Sequence, residues 1–231
     1  MRDWRAVSLV LVGVVAAVFY SNFLLAVAFS RDHDWFAVVS ELEVPGAPTA
    51  TLLRTTDVLC GLLVLVLLPY VRAALPVGGW RNWAVWMTAI FAVTGAVAGI
   101  IQLPCADGVV CTSTADEIQR WTHDGLSIIS QTAVFLGAVA VGLDTRHHGP
   151  VWLHRAAWLT FWVGGVIGTL VFGYYGATDS SSWQTGVAQR FQIGMTSAWI
   201  ICLAVFAATA GLRARDEPDT LTTSRRGSAD A

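Results

Sequence analysis

Six apolar blocks, each about as long as a bilayer's hydrocarbon core is thick, limit what this chain can fold into. A helix rises about 1.5 Å per residue, so about 20 residues cross a core of about 30 Å. The blocks run from Ala6 to Phe29, Thr51 to Leu68, Trp83 to Leu103, Asp124 to Val141, Ala156 to Tyr175 and Phe191 to Leu212. In lipid every backbone N–H and C=O must find its partner within the segment, which leaves helices as the economical choice. The expected fold is an all-α polytopic membrane bundle of six transmembrane helices. It forms one membrane domain over residues 1–215, followed by a polar, disordered cytoplasmic tail over 216–231. With 55% hydrophobic and 13% charged residues, the chain leaves no room for a soluble domain. It has no basic run that would suggest a nucleic-acid partner.

Charge placement gives the orientation. Arg2 and Arg5 precede the first block, Arg72 and Arg81 bracket the second connection, Arg146 and Arg155 bracket the fourth, and Arg213 and Arg215 follow the sixth. By the positive-inside rule both termini lie in the cytoplasm, in a plasma-membrane protein. The opposite connections carry Asp32, Asp34, Glu41, Glu43, Asp107, Asp116, Glu117 and Asp179. Ala26-Val27-Ala28 resembles a signal-peptidase site, but the preceding apolar stretch exceeds the 7–15 residues typical of a signal core, so an uncleaved anchor is expected. Gly95 with Gly99, and Gly164 with Gly168, mark faces where helix backbones can approach closely. Six tryptophans between Trp80 and Trp162 sit toward the cytoplasmic ends of spans three and five, as interfacial anchors do.

The remaining polar residues gather on one side of this frame. Arg54 and Asp57 lie three residues apart in span two, and a local ion pair is their simplest reading. In span four, His123, Ser127 and Ser130 share one helical stripe, while Asp124, Ser127 and Gln131 form another. Arg190 opens span six, Tyr20, Ser21 and Asn22 close span one, and Gln102 closes span three. All fall in the outer half, whereas the inner halves are nearly pure hydrocarbon. An outward-facing crevice over a closed apolar floor is expected. Its candidate lining residues are Arg54, Asp57, Asp107, His123, Asp124, Ser127, Gln131 and Arg190. A through-pore would need polar groups along its whole length. The plain reading of His123 is a cap on the fourth helix beside Asp124, and the sharper one is a proton carrier. Cys105 and Cys111, in a loop on the oxidising side, are expected to form a disulfide worth about 2 kcal/mol. Their spacing does not suit zinc, and no metal or cofactor is expected.

The chain resembles the bacterial membrane family catalogued as domain of unknown function 998, itself similar to Frag1-type six-span proteins. The resemblance rests on the six-span layout, on Ser40-Glu41-Leu42 with Gly46-Ala47-Pro48 before span two, on the Pro104/Asp107 loop and on His123 opening span four. It implies a fold rather than a reaction. Seven-span hydrolases that hold zinc with three histidines, a serine and an aspartate are a poorer match, since only His33 and His123 fall on the outer side.

The function expected from these residues is non-enzymatic. Besides the bilayer itself, the crevice would take a lipid or small polar ligand, or the protein would dock an envelope partner. A membrane-embedded lipid-headgroup hydrolase or transferase using His123 and aspartates is the alternative. A proton-coupled carrier using Asp57 is the third reading.

Overall fold

The computed structural model describes residues 2–25, 38–105, 113–147, 149–178 and 183–216. Its regular elements are helices throughout. They are α1 (Arg2–Tyr20), a 3-10 turn (Val39–Glu43), α2 (Ala50–Ala74), α3 (Gly79–Ile100), α4 (Thr114–Asp144), α5 (Val151–Thr178) and α6 (Trp183–Asp216). Five of them, α2 to α6, are long and apolar enough to cross a membrane. This is a multi-pass membrane protein. The end of the bundle carrying the 3-10 turn is called upper below, and the opposite end lower.

Where the sequence places a span from Ala6 to Phe29, the structure has a shorter helix. α1 breaks at Ser21-Asn22 into one further turn at Phe23–Leu25, and the Ala26-Val27-Ala28 stretch lies outside the described residues. The break falls where polar side chains turn inward. Ser21 and Ser197 of α6 share a hydroxyl hydrogen bond of 2.8 Å, and Ser197 donates to the Ala17 carbonyl. Lower down, α1 lies so close to α6 that a Cβ added to Gly13 would sit 2.2 Å from that of Ala204.

α4 starts ten residues before the expected span. Ser113 caps it, accepting from the Asp116 N–H, and Asp116 and Glu117 stand in its first turn, where acids favour the helix dipole. Hydropathy marks the apolar part of a helix rather than its ends, so a polar N-terminal extension escapes it. α6 likewise begins at Trp183 and continues to Asp216, and the expected tail beyond lies outside the described residues.

Gly164 and Gly168 pack as their spacing suggests, against Met195 and Gln192 of α6, whereas Gly95 meets Ser130 of α4 and Gly99 meets α2. Between Thr160 and Ile167, α5 is wound as a π-helix, a rare form that occurs mostly as single-turn bulges within α-helices. Below this segment α5 packs on α4, and above it, over Gly168–Thr178, its packing partner is α6. The apolar core runs through the middle and lower bundle, around Val64, Phe91, Val134, Ala138, Leu153 and Trp199.

Candidate functional site

The upper end of α3 organises the polar cluster. A helix C-terminus leaves carbonyls without intrahelical partners and carries partial negative charge. Two neighbouring helices supply the missing donors. From α2, Arg54 donates through Nε to the Gly99 carbonyl at 2.9 Å and through Nη2 to that of Ile100 at 2.7 Å. From α4, the Nδ1 of His123 lies 2.7 Å from the Ile101 carbonyl and 3.1 Å from that of Ala98. Both carbonyls are acceptors, so Nδ1 carries the proton. Close approach of α2 makes this possible. A Cβ on Gly99 would come within 3.0 Å of the Asp57 Cβ and 3.2 Å of the Arg54 carbonyl.

These contacts revise two readings from the sequence. Arg54 does not form a local pair with Asp57, because the helix terminus offers it two carbonyls in fork geometry. His123 does not cap its own helix, which begins nine residues earlier at Thr114, but the end of α3.

Asp57 turns instead to α1 and the 3-10 turn. The Asn22 amide donates to its Oδ1 at 2.8 Å and to the Leu53 carbonyl at 3.2 Å. Its other partner is the carboxyl of Glu43, in hydrogen-bond contact with it. Two carboxyls can bond only if at least one holds a proton, so the pair keeps at least one. Glu43 is 5% exposed. Burial pushes its carboxyl up to about 7, against the opposing pull of the Asp57 hydrogen bond and of the Arg54 charge. The turn bearing Glu43 is set by Pro45-Gly46: Gly46 has φ of 88°, and the Ala47 N–H bonds to the Val44 carbonyl, as in a type II turn. Gln102 donates to the Glu43 carbonyl, and Val39 is buried against Phe23 and Ile193.

Beneath this turn lies a cavity of about 590 Å³, lined from every helix and from the turn. Asp57, Glu43, Asn22 and His123 provide polar wall near the α3 terminus, and Tyr20, Gln131 and Ser127 continue it down α1 and α4. The Gln131 amide donates to the Tyr20 hydroxyl. Phe91, Ala92 and Phe135 contribute apolar wall. In the lower half, a void of only about 10 Å³ is bounded by Val64, Leu67, Val71 and other apolar side chains.

Of the residues singled out from sequence, Asp57, His123, Asp124, Ser127 and Gln131 line this cavity. Asp124 lies 3.9 Å from Arg120 one turn back, both half exposed. Arg54 is drawn off to the α3 terminus. Arg190 lies over the Phe23 ring at 5.5 Å and donates to the Gly186 carbonyl, outside the lining. Asp107 lies outside the described residues. Glu43, which the sequence showed only as one more outer acid, is central because the turn folds it inward.

The expected Cys105–Cys111 disulfide needs correction: among the described residues no two sulfurs lie at bonding distance. Cys60 and Cys202 are free thiols, Cys105 is not among the free ones, and Cys111 lies outside the described residues. Among the described residues no three His, Cys, Asp or Glu side chains gather as a metal site.

The chain matches the family described as protein of unknown function, DUF998, over residues 10–206. It belongs to that family. No curated protein and no solved structure matches it. The family region takes in every cavity residue named above, from Tyr20 to Phe135.

Proposed function

We propose that this DUF998 protein is a non-enzymatic plasma-membrane protein that binds a lipid or other small amphiphile in the upper cavity, with both termini in the cytoplasm and the cavity on the opposite side. The supporting observation is a cavity of about 590 Å³ with polar groups gathered at one end and aromatic and aliphatic walls elsewhere. Ligand sites are of this size and character, mostly apolar with a few convergent polar groups. The orientation is supported by the arginines of the lower connections, Arg72, Arg81, Arg146 and Arg155.

His123 supports a holding role better than a catalytic one. Its bonds run to the Ala98 and Ile101 carbonyls, not to a carboxylate that would orient it as a general base. The closely packed lower half favours a binding site over a carrier's path.

Gly173 gives a clean test. It lines the cavity, and a Cβ added there meets nothing within 4 Å. Gly173→Trp should fill the space with little effect on folding. Native mass spectrometry of the wild type should then detect co-purified lipid that this variant lacks. Equal lipid retention by both proteins would contradict the proposal.

A further inference from the structure

The inference below rests on the cavity being a ligand site, and adds how the ligand enters and what its head group is. The cavity is walled on one side by α4, through Ser127, Ile128 and Gln131, and on another by α5, through Thr169, Phe172 and Gly173. Below the π-helical segment these two helices pack together. Above it α5 keeps α6 as its partner, with Gln192 of α6 donating to the Thr169 hydroxyl at 2.9 Å. The flanks of the gap are greasy and exposed: Ile128 is 66% exposed, Leu170 68% and Tyr174 65%. In a membrane such flanks face acyl chains, so the opening between α4 and α5 gives onto lipid rather than water.

The chemistry inside is one-sided. The polar end presents the Glu43–Asp57 carboxyl pair and Asn22, a residue 1% exposed whose Oδ1 has no hydrogen-bond partner. The amide of Asn22 is already committed to the Leu53 carbonyl and Asp57, so its free end is an acceptor. Of the nearby arginines, Arg54 is turned to the α3 carbonyls and Arg190 lies over Phe23, so neither lines the cavity, and Arg120 in the lining stands beside Asp124. A phosphate placed here would meet carboxyl oxygens. An ammonium would meet carboxyl and amide acceptors and the aromatic walls of Tyr20 and Phe91, which also favour a cation.

We infer that the ligand is an amphiphile with a protonated primary amine as its head group, admitted sideways between the upper parts of α4 and α5 and held at Asp57. Its apolar part lies along Phe135 and Phe172 toward the gap. The source is either an aminophospholipid of the bilayer or a single-chain amine, and the two share the chemistry that Asp57 and Asn22 would recognise.

The test uses the full-length protein in detergent, titrated with dioleoyl phosphatidylethanolamine, its N-methylated series up to phosphatidylcholine, phosphatidylglycerol and oleylamine, and read as a thermal shift. Phosphatidylethanolamine or oleylamine should raise the melting temperature, with half-saturation weakening at least tenfold by full methylation; phosphatidylglycerol should have no effect. A response to oleylamine as well as phosphatidylethanolamine identifies the amine alone as the determinant, and a response to phosphatidylethanolamine only adds the glycerophosphate. Asp57→Asn should weaken the response tenfold or more, and because the methylation series varies the ligand, the outcome does not depend on that variant folding. Equal shifts from phosphatidylethanolamine, phosphatidylcholine and phosphatidylglycerol would overturn the amine assignment. If Gly173→Trp abolished those equal shifts, the cavity would still stand as the binding site; if it left them intact, that reading would fall as well.

Discussion

The upper and lower halves of the bundle satisfy their polar groups in different ways. In the lower half hydroxyls bond back to their own helix: Thr88 to the Ala84 carbonyl, Thr145 to Val141 and Thr209 to Val205, with the His154 contact to the Gly142 carbonyl as an exception between helices. The upper half has such self-bonded hydroxyls too, at Thr56 and Thr122, but adds bonds that cross between helices, as in Asn22 to Asp57, Arg54 and His123 to the end of α3, and Ser130 to the Phe91 carbonyl. A helix that satisfies itself can be packed by shape alone. Helices joined through polar side chains can be held apart around a space, and the cavity lies where that happens.

The sharpest contrast comes from adding side chains to glycines in the two halves. Gly13→Leu in the lower half would drive α1 from α6, because the Ala204 Cβ already occupies that position. Overpacking of this kind costs about 3 kcal/mol or more, and the variant should lose its monodisperse peak in gel filtration. Gly173→Trp in the upper half should keep that peak.

The Glu43–Asp57 pair predicts a pH dependence for the upper half. Burial raises Glu43 from an ordinary value of 4.5 to about 7, so the folded protein holds more protons than the unfolded chain between those values. Stability should be fully present below about 4.5 and should fall as pH rises through about 7, by a few kcal/mol at most. Melting temperatures from pH 5 to 8 should therefore decline in the wild type, and stay flatter in Glu43→Gln, which can donate without a shared proton.

Smaller effects follow at the α3 terminus. Arg54→Met strands the Gly99 and Ile100 carbonyls and should cost about 1–3 kcal/mol in denaturation midpoints. Asp124→Asn weakens a half-exposed pair with Arg120 at 3.9 Å and should change stability by less than about 0.5 kcal/mol.

Much of this frame was legible in the sequence. Apolar length located α2 to α6, glycine spacing located helix contacts, and the sided polar residues located the half in which Asp57, His123, Ser127 and Gln131 meet. Where the reading fell short, the missing quantity was direction. Arg54 and Arg190 sit at the expected depth, but one turns to a helix terminus and the other to an aromatic ring, choices that depend on neighbours from distant parts of the chain. Glu43 lies in a segment without helical periodicity, so nothing local distinguished it from the solvated acids around it. The turn-forming Pro45-Gly46 beside it was the available clue.

The account depends on the upper space being a site that takes an amphiphile. A cryo-electron microscopy map of the protein in lipid nanodiscs would test this most directly. The predicted result is non-protein density within the cavity, reaching from Asp57 and Asn22 toward the gap between Ile128 and Phe172. Side chains closed across that space, or a cavity holding only water beside an α4–α5 gap sealed to lipid, would contradict it.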